Sequence, residues 1–294
     1  MTGLPYPAYP RTPYPPLIIN AALTGQVLTT ARAPHLPVAP EAIAADAERC
    51  VAAGATILHL HARDEAGRPD WRPDTYRRVI AAVRERCPDA VLCVSTSGRD
   101  EPDFERRAAV LGLSGDDRPD MASLTLGSLN FHTGPSLNAP ETIRGLAARM
   151  AEAGIVPELE VFDLGMAQVA HRLQADGLLG PAPYANLMLG FPYGAPCDAR
   201  SLVALVEALP PDTTWAAAGL GDYQRTANAL AVAMGGHVRT GLEDNPDLSQ
   251  DPRRPASNVE LVERAVALSD AVGRPLAQSS QVRALIGTSR PVAS

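Results

Sequence analysis

Apolar residues fall along this chain in short runs separated by longer stretches of helical period. The runs cover 17–23, 56–61, 90–95, 121–124, 157–162, 185–191, 214–218 and 238–242. They are short and nearly continuous, as strands buried on both faces are. Between them, segments 40–53, 74–86, 139–153, 165–176, 199–209, 223–234 and 257–272 carry apolar residues at helical spacing. Gly54 and Gly154 close two of these segments, where glycine caps a helix end at little cost. Strand and helix therefore alternate, which predicts an α/β fold with a parallel sheet. Eight such units fit a closed (β/α)8 TIM barrel better than an open sheet. No linker-like stretch interrupts residues 17–294, which read as one domain. Residues 1–16 hold six prolines and read as an extended arm.

Composition narrows the chemistry. The 294 residues are 46% apolar, enough for one large core. A net charge of −7 and a pI near 5.4 supply no basic field for nucleic acid or an anionic membrane. No segment has the length and apolarity of a membrane span, and the first residues lack the charged-then-apolar order of a signal peptide. The expected location is the cytoplasm. The four cysteines form no CxxC pair and read as reduced, mostly buried thiols. All 26 basic residues are arginine. Schiff-base and lysine-anchored PLP chemistry are thereby excluded, and any enolate must be stabilised by a metal, an arginine or oriented hydrogen bonds.

Barrel enzymes place catalytic groups where strands end and loops begin. The polar segments TGQ, HLHARD, STSGR, SLTLGSLN, GLGD and RTGLEDN stand at such points. His59 and His61 flank Leu60, so on a strand both imidazoles face the same side. A pair of this kind suits a divalent cation, with zinc expected and other transition metals compatible. The third ligand is expected from Glu243. Arg239, Gly241 and Glu243 share strand parity, which would turn Arg239 and Glu243 inward. Glu158 and Glu160 compete as carboxylates for that role. Two histidines and one glutamate leave a coordination position open, as catalytic sites do.

The segments PLIINAALTG, TILHLHARDEAGRPDW, STSGR, PDMASLTLGSLNF, PELEVFDLG, WAAAGLG and GGHVRTGLEDN, followed by SNVELVERAV, resemble the β-keto acid cleavage enzyme family over residues 16–286. The resemblance implies a zinc-dependent barrel that condenses a β-keto acid with acetyl-CoA. The products would be acetoacetate and the CoA thioester of the remaining acyl group. It implies metal ligation by His59, His61 and Glu243, a general base at Asp244 and an orienting arginine at Arg239. Contacts to the substrate carboxylate would fall on Ser95 and Ser123. It further implies a homo-oligomer, often a tetramer. Chemistry fits these roles. A cation that polarises a chelated ketone acidifies C2, and a nearby carboxylate can then remove that proton.

Three positions depart from the family pattern. Val27 stands where 3-keto-5-aminohexanoate cleavage uses a glutamate against the substrate ammonium. Thr125 replaces an amide. Asp222 stands where GIGR would place an arginine, and it is expected, with Tyr193, to select a polar or cationic distal end. Two other readings compete. A His-x-His barrel hydrolase would usually add a bridging lysine and further strand-end histidines. A non-catalytic metabolite-binding member would have lost the C2 chemistry.

Overall fold

The computed structural model describes residues 14–131, 134–250 and 252–288. Eight parallel strands close into a ring: β1 Ile19–Ala22, β2 Ile57–Leu60, β3 Val91–Val94, β4 Met121–Thr125, β5 Val156–Val161, β6 Tyr184–Leu189, β7 Thr214–Gly219 and β8 His237–Thr240. Each strand pairs with its neighbours in chain order, and β8 returns to β1 with Asn20 opposite Arg239. This is the (β/α)8 barrel expected from the alternating pattern.

The strands are almost wholly buried because helices cover the outer face and side chains fill the lumen. The helices are α1 Pro40–Ala53, α2 Pro73–Arg86, α3 Phe104–Ala108, α4 Pro140–Ala153, α5 Leu164–Ala175, α6 Ala199–Glu207, α7 Tyr223–Ala233, α8 Asn258–Ala271 and α9 Ser279–Ile286. Proline opens α1, α2 and α4, where its missing N–H costs nothing. Asp163 and Asp198 cap α5 and α6, and Ser257 with Glu260 forms a capping box on α8.

Four features go beyond the predicted elements. The third crossover is only the five-residue α3 followed by two 3-10 turns, because Gly112, Gly115 and Pro119 interrupt any longer helix. Leu129–Phe131 pairs antiparallel with Gly134–Ser136 above β4. Asp247–Gln250 pairs with Arg253–Pro255 after β8. Helix α9 packs Val282 and Ile286 into a cluster with Ile18, Ile57, Val91 and Tyr184. Arg283 of α9 holds buried Asp120 at 2.7 Å. The predicted proline-rich arm falls mostly outside the described residues. Within them, Arg274 donates to Pro15 O at 2.6 Å.

Candidate active site

Strand pairing brings the polar residues together. Register sets Ala22 beside His59, His59 beside Cys93, Ser123 beside Glu158, and Thr125 beside Glu160. His59 and His61 both point inward, as their spacing requires. Their Nε2 atoms lie 3.2 Å apart. Glu243 Oε1 lies 3.2 Å from His61 Nε2, and its Oε2 lies 3.6 Å from His59 Nε2.

Glu243 reaches this point by a different route from the strand parity expected for it. Strand β8 ends at Thr240, and a turn follows. Gly241 adopts φ +146°, and a Cβ there would fall 2.1 Å from Ala22 O. Only glycine fits such a conformation at such an approach. Gly25, at φ +63°, leaves the space filled by the Glu243 side chain, whose Cγ would lie 2.7 Å from an added Cβ. Loop 24–28 is pinned by Arg63, which donates to Gly25 O at 2.7 Å and to Leu28 O at 2.8 Å. Sequence reasoning missed Arg63, although it shares parity with His59 and His61.

The residues fit a divalent cation. Ligand atoms of His59, His61 and Glu243 lie within 4.8 Å of one another. Tetrahedral ligands at roughly 2.0–2.1 Å from zinc stand about 3.3 Å apart. Glu243 Oε2 is buried without a hydrogen-bond partner among the described residues. Such an atom calls for a proton or a cation.

Glu158, read from sequence as a competing ligand, stands behind His59 on the side away from His61 and Glu243, and with His59 and Cys93 it forms a second group that could hold a cation. The His59 Nδ1–H donates to Glu158 Oε2 at 2.7 Å, which leaves Nε2 with its lone pair toward His61 and Glu243. Asn20 Nδ2 donates to the other Glu158 oxygen at 2.6 Å. Burial opposes ionisation of Glu158, but His59, Arg239 and Asn20 outweigh it and bring its pKa down to about 2. Burial likewise opposes the imidazolium of His59, while Glu158 and Glu243 overcome it and raise its pKa.

Arg239 is fully buried and holds several carboxylates. Its Nε donates to Asp244 Oδ2 at 3.0 Å, its Nη2 to Glu243 Oε1 at 3.0 Å, and its Nη1 to Glu160 Oε1 at 3.4 Å. Thr125 Oγ1 donates to Glu160 Oε2 at 2.6 Å. Burial raises the Asp244 pKa from its ordinary value although Arg239 works against it. Burial also opposes ionisation of Glu243, yet His61, His59 and Arg239 hold its pKa well below its ordinary value.

A cavity of about 100 Å³ opens onto these groups. His61, Glu243, Asp244, Arg239, Ser95, Thr125 and Val27 line it, as does Glu160. Two expected residues stand apart. Ser123 is buried beneath loop 95–99, and its Oγ accepts from Thr96 N at 3.2 Å. Asp222 is exposed at the start of α7, whereas Leu220 of the same loop lines the cavity. The loop is tied to the site by Gly221 N–H, which donates to Asp244 O at 2.8 Å. Sequence reasoning also missed the apolar wall of Leu129, Phe131, Phe162 and Met188, and Arg99 beside it.

The four cysteines form no disulfide, and Cys50, Cys87 and Cys93 are buried. No helix among the described residues is long and apolar enough to cross a membrane.

Known proteins share much of this chain's sequence and fold. A 3-keto-5-aminohexanoate cleavage enzyme of Fusobacterium nucleatum is 38% identical over 272 residues, covering 92% of this chain and 97% of its own. A 3-oxoadipate:acetyl-CoA acetyltransferase of Cupriavidus necator is 38% identical over 275 residues, covering 92% and 95%. Among solved structures, that of ObcA without ligand superposes with a TM-score of 0.76 at 23% identity, over 87% of this chain and 66% of that one, which supports the barrel fold. The family profile for β-keto acid cleavage enzymes matches residues 16–288. The chain belongs to the β-keto acid cleavage enzyme family.

Proposed function

We propose that the chain transfers the acyl group of a β-keto acid to CoA at the expense of acetyl-CoA. One acetyl thioester and one β-keto acid give acetoacetate and one acyl-CoA, so carbon, charge and thiol balance. The observation that carries this reading is the meeting of His59, His61 and Glu243 beside an Asp244 held by Arg239. His59, His61 and Glu243 would hold a divalent cation, with zinc favoured by the donor set. Bound there, the ion supplies Lewis-acid polarisation of a ketone oxygen.

The chain's own residues account for the rest. Asp244 acts as general base toward the C2 proton, which prepares C2 to attack the acetyl carbon of the thioester. Arg239 fixes both Asp244 oxygens, at 3.0 and 3.3 Å, so the base has one orientation. Glu160, shared between Arg239 and Thr125, holds the other side of that guanidinium. Ser95 lines the cavity, and its Oγ already accepts the N–H of Ser97, which leaves its own O–H to donate to a substrate carboxylate. Breaking the C2–C3 bond after the CoA thiolate adds to C3 returns the C2 electrons to the new acetoacetate.

The experiment is a panel of β-keto acids assayed for acetoacetate with and without acetyl-CoA. The expected result is product only when both substrates are present. Asp244→Asn should lower turnover about 10²–10⁴-fold, the usual contribution of a general base, without altering metal content. Hydrolytic activity needing neither thioester nor β-keto acid would overturn the reading.

The hydrolase alternative gains no support from the fold. The remaining described histidines, His35, His171 and His237, join no potential metal group among the described residues. The chain is expected to act in the cytoplasm, the family resemblance suggests a homo-oligomer, often a tetramer, and sedimentation of the metal-loaded protein tests the assembly.

A further inference from the structure

Three of the chain's four phenylalanines gather at the catalytic face. Phe131 meets Phe191 edge-on at 5.0 Å and Phe162 at 6.4 Å between centroids, and Tyr193 extends the group from Phe191 at 6.0 Å. Phe131 and Phe162 line the same cavity as the candidate base, together with Val27, Leu129, Met188 and Leu220. The guanidinium of Arg99 lies 3.4 Å from the centre of the Phe131 ring. Its Nε is buried and has no hydrogen-bond partner among the described residues.

The charges around the cavity are uneven. Each lining carboxylate is already engaged: Glu243 by His61 and Arg239, Asp244 by Arg239, and Glu160 by Thr125 and Arg239. Arg239 is spent on these. Arg99 has no carboxylate within ion-pair distance among the described residues. The charges acting on it at longer range are the exposed Asp100, next in the chain, and Glu243. A half-buried guanidinium held on an aromatic face, with a donor turned from water, is arranged to receive an anion.

From this we infer, building on the function proposed above, that the substrate is a β-keto diacid whose distal carboxylate binds Arg99. Among the described residues a cationic distal end meets no uncommitted carboxylate in the cavity, and the Phe131 face is already taken by Arg99. Val27 is apolar, Asp222 faces solvent, and the one uncommitted charge among the described residues of the cavity is positive. The phosphates of CoA are a second source of anion, but the pantetheine chain separates them from the thioester carbon that must reach C2. Arg99 lines the same small cavity as Asp244 and Ser95, so a second carboxylate of an acid bound there comes within its reach. The apolar wall then covers the methylene chain between the two carboxylates.

The test uses three six-carbon acids with acetyl-CoA: 3-oxoadipate, 3-oxohexanoate and 3-keto-5-aminohexanoate. Dissociation constants for the same acids are measured by calorimetry without acetyl-CoA. The expected result is a clear preference for the diacid in both readouts. In Arg99→Met, the diacid-to-monoacid ratio of kcat/KM should fall about 30-fold or more, chiefly through KM, as loss of a charge-assisted hydrogen bond requires. Arg99→Lys should recover part of that ratio. Its recovery, with an unchanged melting curve, separates recognition from folding. Preference of the wild type for the neutral or the amino-bearing acid would overturn the inference while leaving the proposed function standing. So would equal losses for all three acids, which would put Arg99 on the shared carboxylate, or a rise confined to the KM for acetyl-CoA, which would put it on a CoA phosphate. Failure to form acetoacetate from any acid would sink the proposed function, and this inference with it.

Discussion

Glu158 orients the imidazole of His59, one of the proposed ligands. By accepting the Nδ1 proton of His59 at 2.7 Å, it selects the tautomer that presents Nε2 to the site. Glu158→Gln should therefore lower metal affinity about 10–100-fold, the usual cost of losing such a partner. Competition against a chelating dye measures this, and unchanged affinity would show that His59 is oriented by other means. A second buried histidine, His237, bears on stability. His237 Nδ1 accepts the Ile18 N–H at 3.0 Å, and burial with Arg274 alongside lowers its pKa to about 3. In the unfolded chain the value returns to about 6.5. Between these limits the unfolded chain binds a proton that the folded chain refuses, so stability falls as pH drops from about 6.5 toward 3. The unfolding free energy of the wild type should thus decline relative to His237→Asn by about 1.5 kcal/mol between pH 6.5 and pH 5. Urea titrations at the two pH values decide it, and parallel slopes would contradict the assignment.

The turn after β8 places both Glu243 and Asp244. Gly241 leaves the strand at φ +146° with its α-carbon packed on Ala22 O, and Asn245 N–H donates back to Gly241 O at 3.1 Å. Gly241→Ala should cost at least about 2 kcal/mol, since strain and a backbone clash act together. It should also reduce bound metal, because Glu243 follows the turn. Gly221→Ala is the matched control. Its φ is +58°, but nothing lies within 4 Å of an added Cβ, so a loss nearer about 1 kcal/mol is expected. Equal losses would mean that the close approach to Ala22 carries no weight. The second loop of note, 95–99, is held from the side by Arg107, which donates to Thr96 O at 2.9 Å and to Asn138 Oδ1 at 2.7 Å. Helix α3, though short, therefore matters to the site, because it carries Arg107 under the loop that bears Ser95 and Arg99.

Across the whole barrel, the site draws on both ends of the chain. His59 lies 99 residues from Glu158, and His61 lies 182 from Glu243, so a cation shared by such residues is bound only by the folded protein. Metal binding then stabilises the fold by mass action, about 2.7 kcal/mol at a hundredfold excess over Kd. Chelation should lower Tm by several degrees and abolish turnover, and excess zinc should restore both. His59→Ala should show no such response, and a chelator-insensitive wild type would remove the metal from the account.

Period and spacing along the chain were enough to set the eight strands, most helix bounds and the shared face of His59 and His61, because these depend on neighbours one turn or one pleat away. The strand-end pattern also pointed to Glu243 and Arg239, and the family resemblance added Asp244 and the roles of all three. Local pattern left Glu158 and Glu160 open as rival ligands, since only barrel closure determines which carboxylate stands beside which imidazole. It carried strand parity through Gly241, where a positive-φ turn intervenes. It gave Asp222 a place at the substrate, although the start of α7 turns that side chain to solvent. It passed over Arg99, whose meaning depends on Phe131 being brought against it from another loop. Contacts over short separations are written in periodicity; those that close a ring of eight strands exist only once the ring has closed.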